Sequence, residues 1–190
     1  MRCVDSPTAC RERSNDASYG RLRDRIDAVN EAERLARELD ATMSGDPWYG
    51  TAVSRILDGV DAGKAAARPF ESGHSIWELV LHMTAWVNET KRRLEGGPHR
   101  EPAEGDWPAV RSTTNEAWAD ACAALRSAHA NLAQTLTTAE DSSLSRQVGG
   151  SQVDAIGNPV TYYQTMIGIL QHDTYHAGQI AVLKKALGQA

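Results

Sequence analysis

Four stretches of this chain carry apolar side chains at alternating three- and four-residue spacing, and no stretch alternates apolar with polar as a strand would. That pattern restricts the chain to an all-α fold in which each helix buries one stripe, and four long stripes of this kind predict a four-helix bundle. Leu22, Ile26, Val29, Ala32, Leu35, Ala36 and Leu39 mark the first over residues 19–43, which Ser44-Gly45-Asp46-Pro47 ends. The second covers 76–94. It opens on Ser75 with Glu78 as a capping box and closes at Glu95-Gly96-Gly97-Pro98. Trp118, Cys122, Leu125, Ala128, Leu132 and Leu136 mark the third, with Thr113 and Glu116 as its capping box and its end near 137. The fourth starts at Thr161, with Gln164 as capping partner, and runs to about 187, just before Gly188.

The connections are long. A short extra helix is predicted over 51–57, Trp48 and Tyr49 are expected to plug one end of the bundle, and the loop holding Asp106-Trp107-Pro108 is too rich in Pro and Gly for regular structure. Residues 139–159 form a polar link of a length that often lies over functional sites. Residues 1–18, rich in Ser, Arg, Asp and Asn, read as a flexible tail ahead of one domain over 19–190.

With 190 residues and 41% hydrophobic content, one domain with a proper core is expected. A net charge of -5 and no dense Lys/Arg run argue against a nucleic-acid binder. No apolar run approaches the roughly twenty residues that span a bilayer, and the first residues lack a signal-peptide core, so a cytoplasmic protein without membrane contact is expected. Cys3, Cys10 and Cys122 fit neither a disulfide framework nor a zinc ribbon, and Cys122 reads as a small core residue.

Chemistry concentrates in three histidines. His172 and His176 stand four apart in the last helical segment, which puts both imidazoles on one face, roughly 40° apart around the axis. His82 lies two turns into the second helix beside its apolar face, between Leu79 and Trp86. Three neutral imidazoles can hold a dication and leave positions open for water or a thiolate. Imidazole suits Zn, Ni, Fe or Cu.

His74-Ser75-Ile76-Trp77-Glu78-Leu79-Val80-Leu81-His82, Ala85-Trp86 and His172-Asp173-Thr174-Tyr175-His176-Ala177-Gly178-Gln179-Ile180 resemble the DinB-like (DinB/YfiT) superfamily of small, mostly bacterial four-helix metalloproteins. Asp46-Pro47-Trp48-Tyr49-Gly50 and Glu104-Gly105-Asp106-Trp107-Pro108 extend the likeness to roughly residues 20 to 188. The resemblance implies the DinB-type helix arrangement, a homodimer, and a divalent metal, Zn or Ni, on His82, His172 and His176. Enzymes of that superfamily include thiol S-transferases and isomerases, which implies a small-molecule substrate and a low-molecular-weight thiol as a further cofactor. The alternatives are a metal-dependent hydrolase of small substrates and a non-catalytic metal-binding stress-response protein.

Glu78, Asp173 and Gln179 are close enough in helical spacing to orient the imidazoles, and each is equally explained by exposure or capping. Asp173 occupies the place of the glutamate in a His-Glu-x-x-His peptidase motif, but its shorter side chain argues for hydrogen bonding rather than peptidase chemistry. Tyr163 and Tyr175 are candidates to line the pocket, though aromatic residues at helical spacing are more often core, and His74, His99 and His129 are expected in loops or on the surface.

Overall fold

The computed structural model describes residues 30–149 and 160–188; the expected tail and the first part of the expected first helix lie outside them. Four long helices form the bundle: α1 (Glu31–Met43), α4 (Ile76–Leu94), α5 (Asn115–Thr137) and α7 (Tyr162–Ala186). Between them lie the short helices α2 (Val53–Leu57), α3 (Ala62–Ala66) and α6 (Asp141–Leu144). The described residues contain no strand; the nearest approach is one antiparallel bridge between Gln147 and Thr161.

Capping chemistry sets the starts. Ser75 Oγ accepts from the Glu78 amide at 3.2 Å while Glu78 returns a carboxylate to the Ser75 amide at 2.8 Å, the reciprocal box expected for α4. Thr161 and Gln164 make the same box for α7. The box expected at Thr113 and Glu116 does not form. Thr114 is the cap instead, its Oγ accepting from the Ala117 amide, and alanine has no side chain with which to reciprocate. Asn30 caps α1 through Glu33, so this helix starts at Glu31, and residues 19–29 of the expected first helix lie outside the described residues. Asp141 adds a second support to that end by accepting from the Glu31 and Ala32 amides at 2.9 Å each. A carboxylate at an N-terminus satisfies donors that have no partner inside the helix.

Neighbours around the bundle run α1, α5, α4, α7 and back to α1. Consecutive long helices α1 and α4 therefore stand on a diagonal, as do α5 and α7. Trp77 meets Trp118 near the starts of α4 and α5, and these two helices run in the same direction. The link between them must return along the bundle, and it carries Asp106 and Trp107 past the middle of α4 and α7. One core cluster gathers Ile76, Leu79, Met83, Trp118, Leu125 and Ile180; the other gathers Leu35, Leu39, Leu132, Leu136 and Met166. Each such side chain, fully buried, contributes about 1.5–3 kcal/mol.

Two aromatic expectations fail. Trp48 is fully exposed and plugs nothing, and Tyr49 is partly exposed with its hydroxyl directed to the Thr42 carbonyl. Cys122 is buried as expected. Burial pushes its thiol up to about 11.

Candidate metal centre

The three histidines converge from two helices. His82 on α4 and His172 and His176 on α7 offer ring nitrogens that all lie within 4.8 Å of one another. The Nε2 atoms of His82 and His172 are 2.9 Å apart, and the ring centres are separated by 4.4 to 4.9 Å. His82 and His176 are buried, whereas the His172 side chain keeps 26% of its exposure.

The outward nitrogens decide what the inward ones can do. His82 Nδ1 meets the Asp106 carbonyl at 2.6 Å, His172 Nδ1 meets Asp173 Oδ1 at 3.3 Å, and His176 Nδ1 meets Gln179 Oε1 at 2.7 Å. All three partners are acceptors, so each Nδ1 donates its proton and each Nε2 presents a lone pair inward. Two lone pairs 2.9 Å apart repel unless a proton or a cation lies between them. Burial disfavours the proton: it lowers His82 below the ordinary histidine value, and with help from the neighbouring imidazoles it leaves His176 at about 4. A metal ion resolves the conflict, because two nitrogens bound to one zinc stand about 3.3 Å apart. The donor set fits a divalent ion.

Behind the cluster is a buried relay. Asp173 is fully buried and accepts from His129 Nε2 at 2.8 Å as well as from His172, while His129 Nδ1 donates to the Leu125 carbonyl at 3.0 Å. Burial alone would lower His129, but the Asp173 carboxylate outweighs it and raises the imidazole above its ordinary value. The expected surface position of His129 is thus wrong. The signal was present: positions 118, 122, 125, 129, 132 and 136 keep a four-three spacing that puts His129 on the buried stripe of α5.

Of the three expected orienting groups, Asp173 and Gln179 hold imidazoles of the cluster and Glu78 does not. Its carboxylate caps α4 and pairs with Arg68. His82 is held instead by the α4–α5 link, where Asp106 also accepts from Trp86 Nε1 at 2.7 Å. Trp107 lies flat between two imidazoles, 3.5 Å from the His74 ring centre and 3.9 Å from that of His82. No helical periodicity marks these loop residues.

Two cavities flank the cluster. One of about 640 Å³ is walled by Phe70, His74, Leu79, Tyr175, Gln179 and Val182, and the other, about 300 Å³, includes His172 itself. Tyr175 and Tyr163 are exposed rather than core, and Tyr175 sets its ring 5.2 Å from His176.

The sequence model described as the DinB superfamily matches residues 16–180. A crystal structure of a conserved protein from Enterococcus faecalis has a similar fold, with a TM-score of 0.61 and 16% identity over 85% of this chain and all of that one. No curated protein matches.

Proposed function

The chain belongs to the DinB superfamily, and from that premise we propose that it binds one divalent ion through His82, His172 and His176 and acts on a small molecule with it. The observation that carries this reading is the set of three Nδ1–H groups committed to oxygens, which leaves three converging Nε2 lone pairs. A bound ion supplies Lewis acidity at the positions that three imidazoles leave open.

The chain's own groups favour thiol transfer over hydrolysis. A hydrolase of this kind gains from a free carboxylate beside the ion; Asp173 is taken up by His129 and His172, and Asp106 Oδ1 accepts from Trp86. A low-molecular-weight thiol brings its own nucleophile and needs only a site that favours the thiolate. The apolar walls of Phe70, Leu79 and Val182 suit an uncharged electrophile beside it. Asp106, Asp173 and Gln179 hold the imidazoles in one tautomer, and Trp107 covers His82. Zn or Ni meets the preferences of both imidazole and thiolate.

Elemental mass spectrometry of the purified protein tests the metal reading. Near-stoichiometric metal in the wild type, lost in His82→Ala and His176→Ala while the fold persists, is the expected result. Absence of metal after reconstitution with Zn or Ni would overturn it. Conjugation of a thiol to an epoxide or alkyl halide, dependent on that metal, then separates thiol transfer from thiol-independent ester hydrolysis.

A further inference from the structure

The smaller cavity lies between α4 and α7, beside the most exposed of the three histidines, and is lined by Trp86, Thr90, Arg93, Gln164, Thr165 and His172. Two of its buried polar groups have capacity to spare. Thr90 is 3% exposed and its hydroxyl has no hydrogen-bond partner among the described residues. Arg93 is 6% exposed; its Nε donates to Glu89 at 3.0 Å and its Nη2 to the Arg100 carbonyl at 2.7 Å, while Nη1 has no partner among the described residues. A buried donor left unsatisfied costs free energy that a ligand oxygen can recover.

The local charge points to the sign of that ligand. Glu89 is buried and serves Arg92, Arg93 and Arg100 together, with contacts of 2.6, 3.0 and 3.7 Å, so three cations share one carboxylate. This surplus of positive charge stands in a chain whose net charge is -5. The Arg93 guanidinium lies 5.5 Å from the Trp86 ring centre and the His172 ring lies 6.3 Å from it, so arginine and histidine line one cavity and are separated by no more than the sum of those distances.

We propose that this cavity binds the carboxylate end of a small acidic thiol, with Arg93 and Thr90 holding the carboxylate and the sulfur directed to the edge of the cluster at His172. The proposal rests on the metal and thiol-transfer readings above for its sulfur end and on the cavity alone for its carboxylate end. Arg93 gives charge, Thr90 gives a neutral donor, and the Trp86 ring forms one wall.

The test has two arms. Cobalt-loaded protein is titrated with mercaptosuccinate and with uncharged thioglycerol, following the thiolate-to-cobalt charge-transfer band; metal-free protein is titrated with succinate by calorimetry. Mercaptosuccinate should bind at least about tenfold more tightly than thioglycerol, the effect of one charge-assisted hydrogen bond. Arg93→Gln and Thr90→Val should each remove most of that margin, with cobalt stoichiometry and circular dichroism as controls for site and fold. Should Arg93→Gln fail to fold, the near-isosteric Thr90→Val decides. Equal affinity for the two thiols overturns the carboxylate site and leaves the metal reading intact. Succinate binding that depends on Thr90, in a protein that takes up no cobalt, upholds the carboxylate site and overturns the metal reading. Binding of neither overturns both.

Discussion

His129 on α5 and Asp173 on α7 are joined by a 2.8 Å hydrogen bond across a diagonal of the bundle, both side chains essentially out of contact with water. The second oxygen of the same carboxylate reaches His172, so one side chain ties the core to the candidate metal centre. A buried charge is tolerated only with partners. Here the partner pair also fixes the orientation of the His172 ring.

Asp173→Ala is therefore expected to be costly twice over. It leaves His129 without its counter-charge, a loss of about 3–5 kcal/mol when one member of a buried pair is removed. Urea unfolding should show a large drop in the midpoint. Asp173→Asn keeps the shape and one acceptor, and should retain the fold while weakening metal binding by about 10–100-fold. Equal stability of the Ala variant and the wild type would show that the pair contributes nothing.

Glu89 supplies the pH dependence. Burial would raise its carboxyl, but hydrogen bonds and charge from Arg92 and Arg93 outweigh that and hold it below the usual glutamate range. A carboxylate lowered in the folded state adds stability above its unfolded value, near 4.5, and that stability is lost as pH falls through the folded value. Acid unfolding monitored by circular dichroism should thus steepen below about pH 4.5. In Glu89→Gln that component should vanish, with a lower stability at neutral pH.

Much of this was legible in the chain. Ser75 with Glu78 and Thr161 with Gln164 announce α4 and α7, because a capping box is local and needs nothing from the rest of the fold. His82, His172 and His176 were legible for a similar reason, since helical spacing fixes which face each imidazole takes. What escaped was tertiary. Asp106 and Trp107 reach the site only because parallel α4 and α5 force their link back along the bundle. His129 was obscured by residue type: a histidine on an apolar stripe reads as a surface residue until Asp173, 44 positions away, is known to face it.

Trp107 offers a direct optical handle on the site. Its ring is stacked on His82 and His74 while the residue keeps 38% of its exposure. Such stacking contributes about 0.5–1.5 kcal/mol beyond area burial. Trp107→Ala should lower stability by about 1–2 kcal/mol, since little area is lost. It should also remove the Trp107 share of the tryptophan quenching produced by titrating cobalt into metal-free protein, leaving that of Trp86, whose ring lies 6.3 Å from His172. Quenching that persists undiminished would mean that Trp107 does not report on the cluster.

Gln179 tests the tautomer argument itself. Its Oε1 accepts from His176 Nδ1 at 2.7 Å, and without that acceptor nothing holds the proton on the outward nitrogen. Gln179→Leu preserves the bulk but allows His176 to protonate inward, so metal affinity should fall by about 10–100-fold. Gln179→Glu restores an acceptor, adds negative charge, and should return affinity to the wild-type level or above it. Competition with a chromophoric chelator measures both. If Leu and Glu variants bind metal alike, the imidazole is held by packing and the hydrogen bond to Gln179 is incidental; the ordering Glu at or above wild type, with Leu well below, is what a tautomer lock requires.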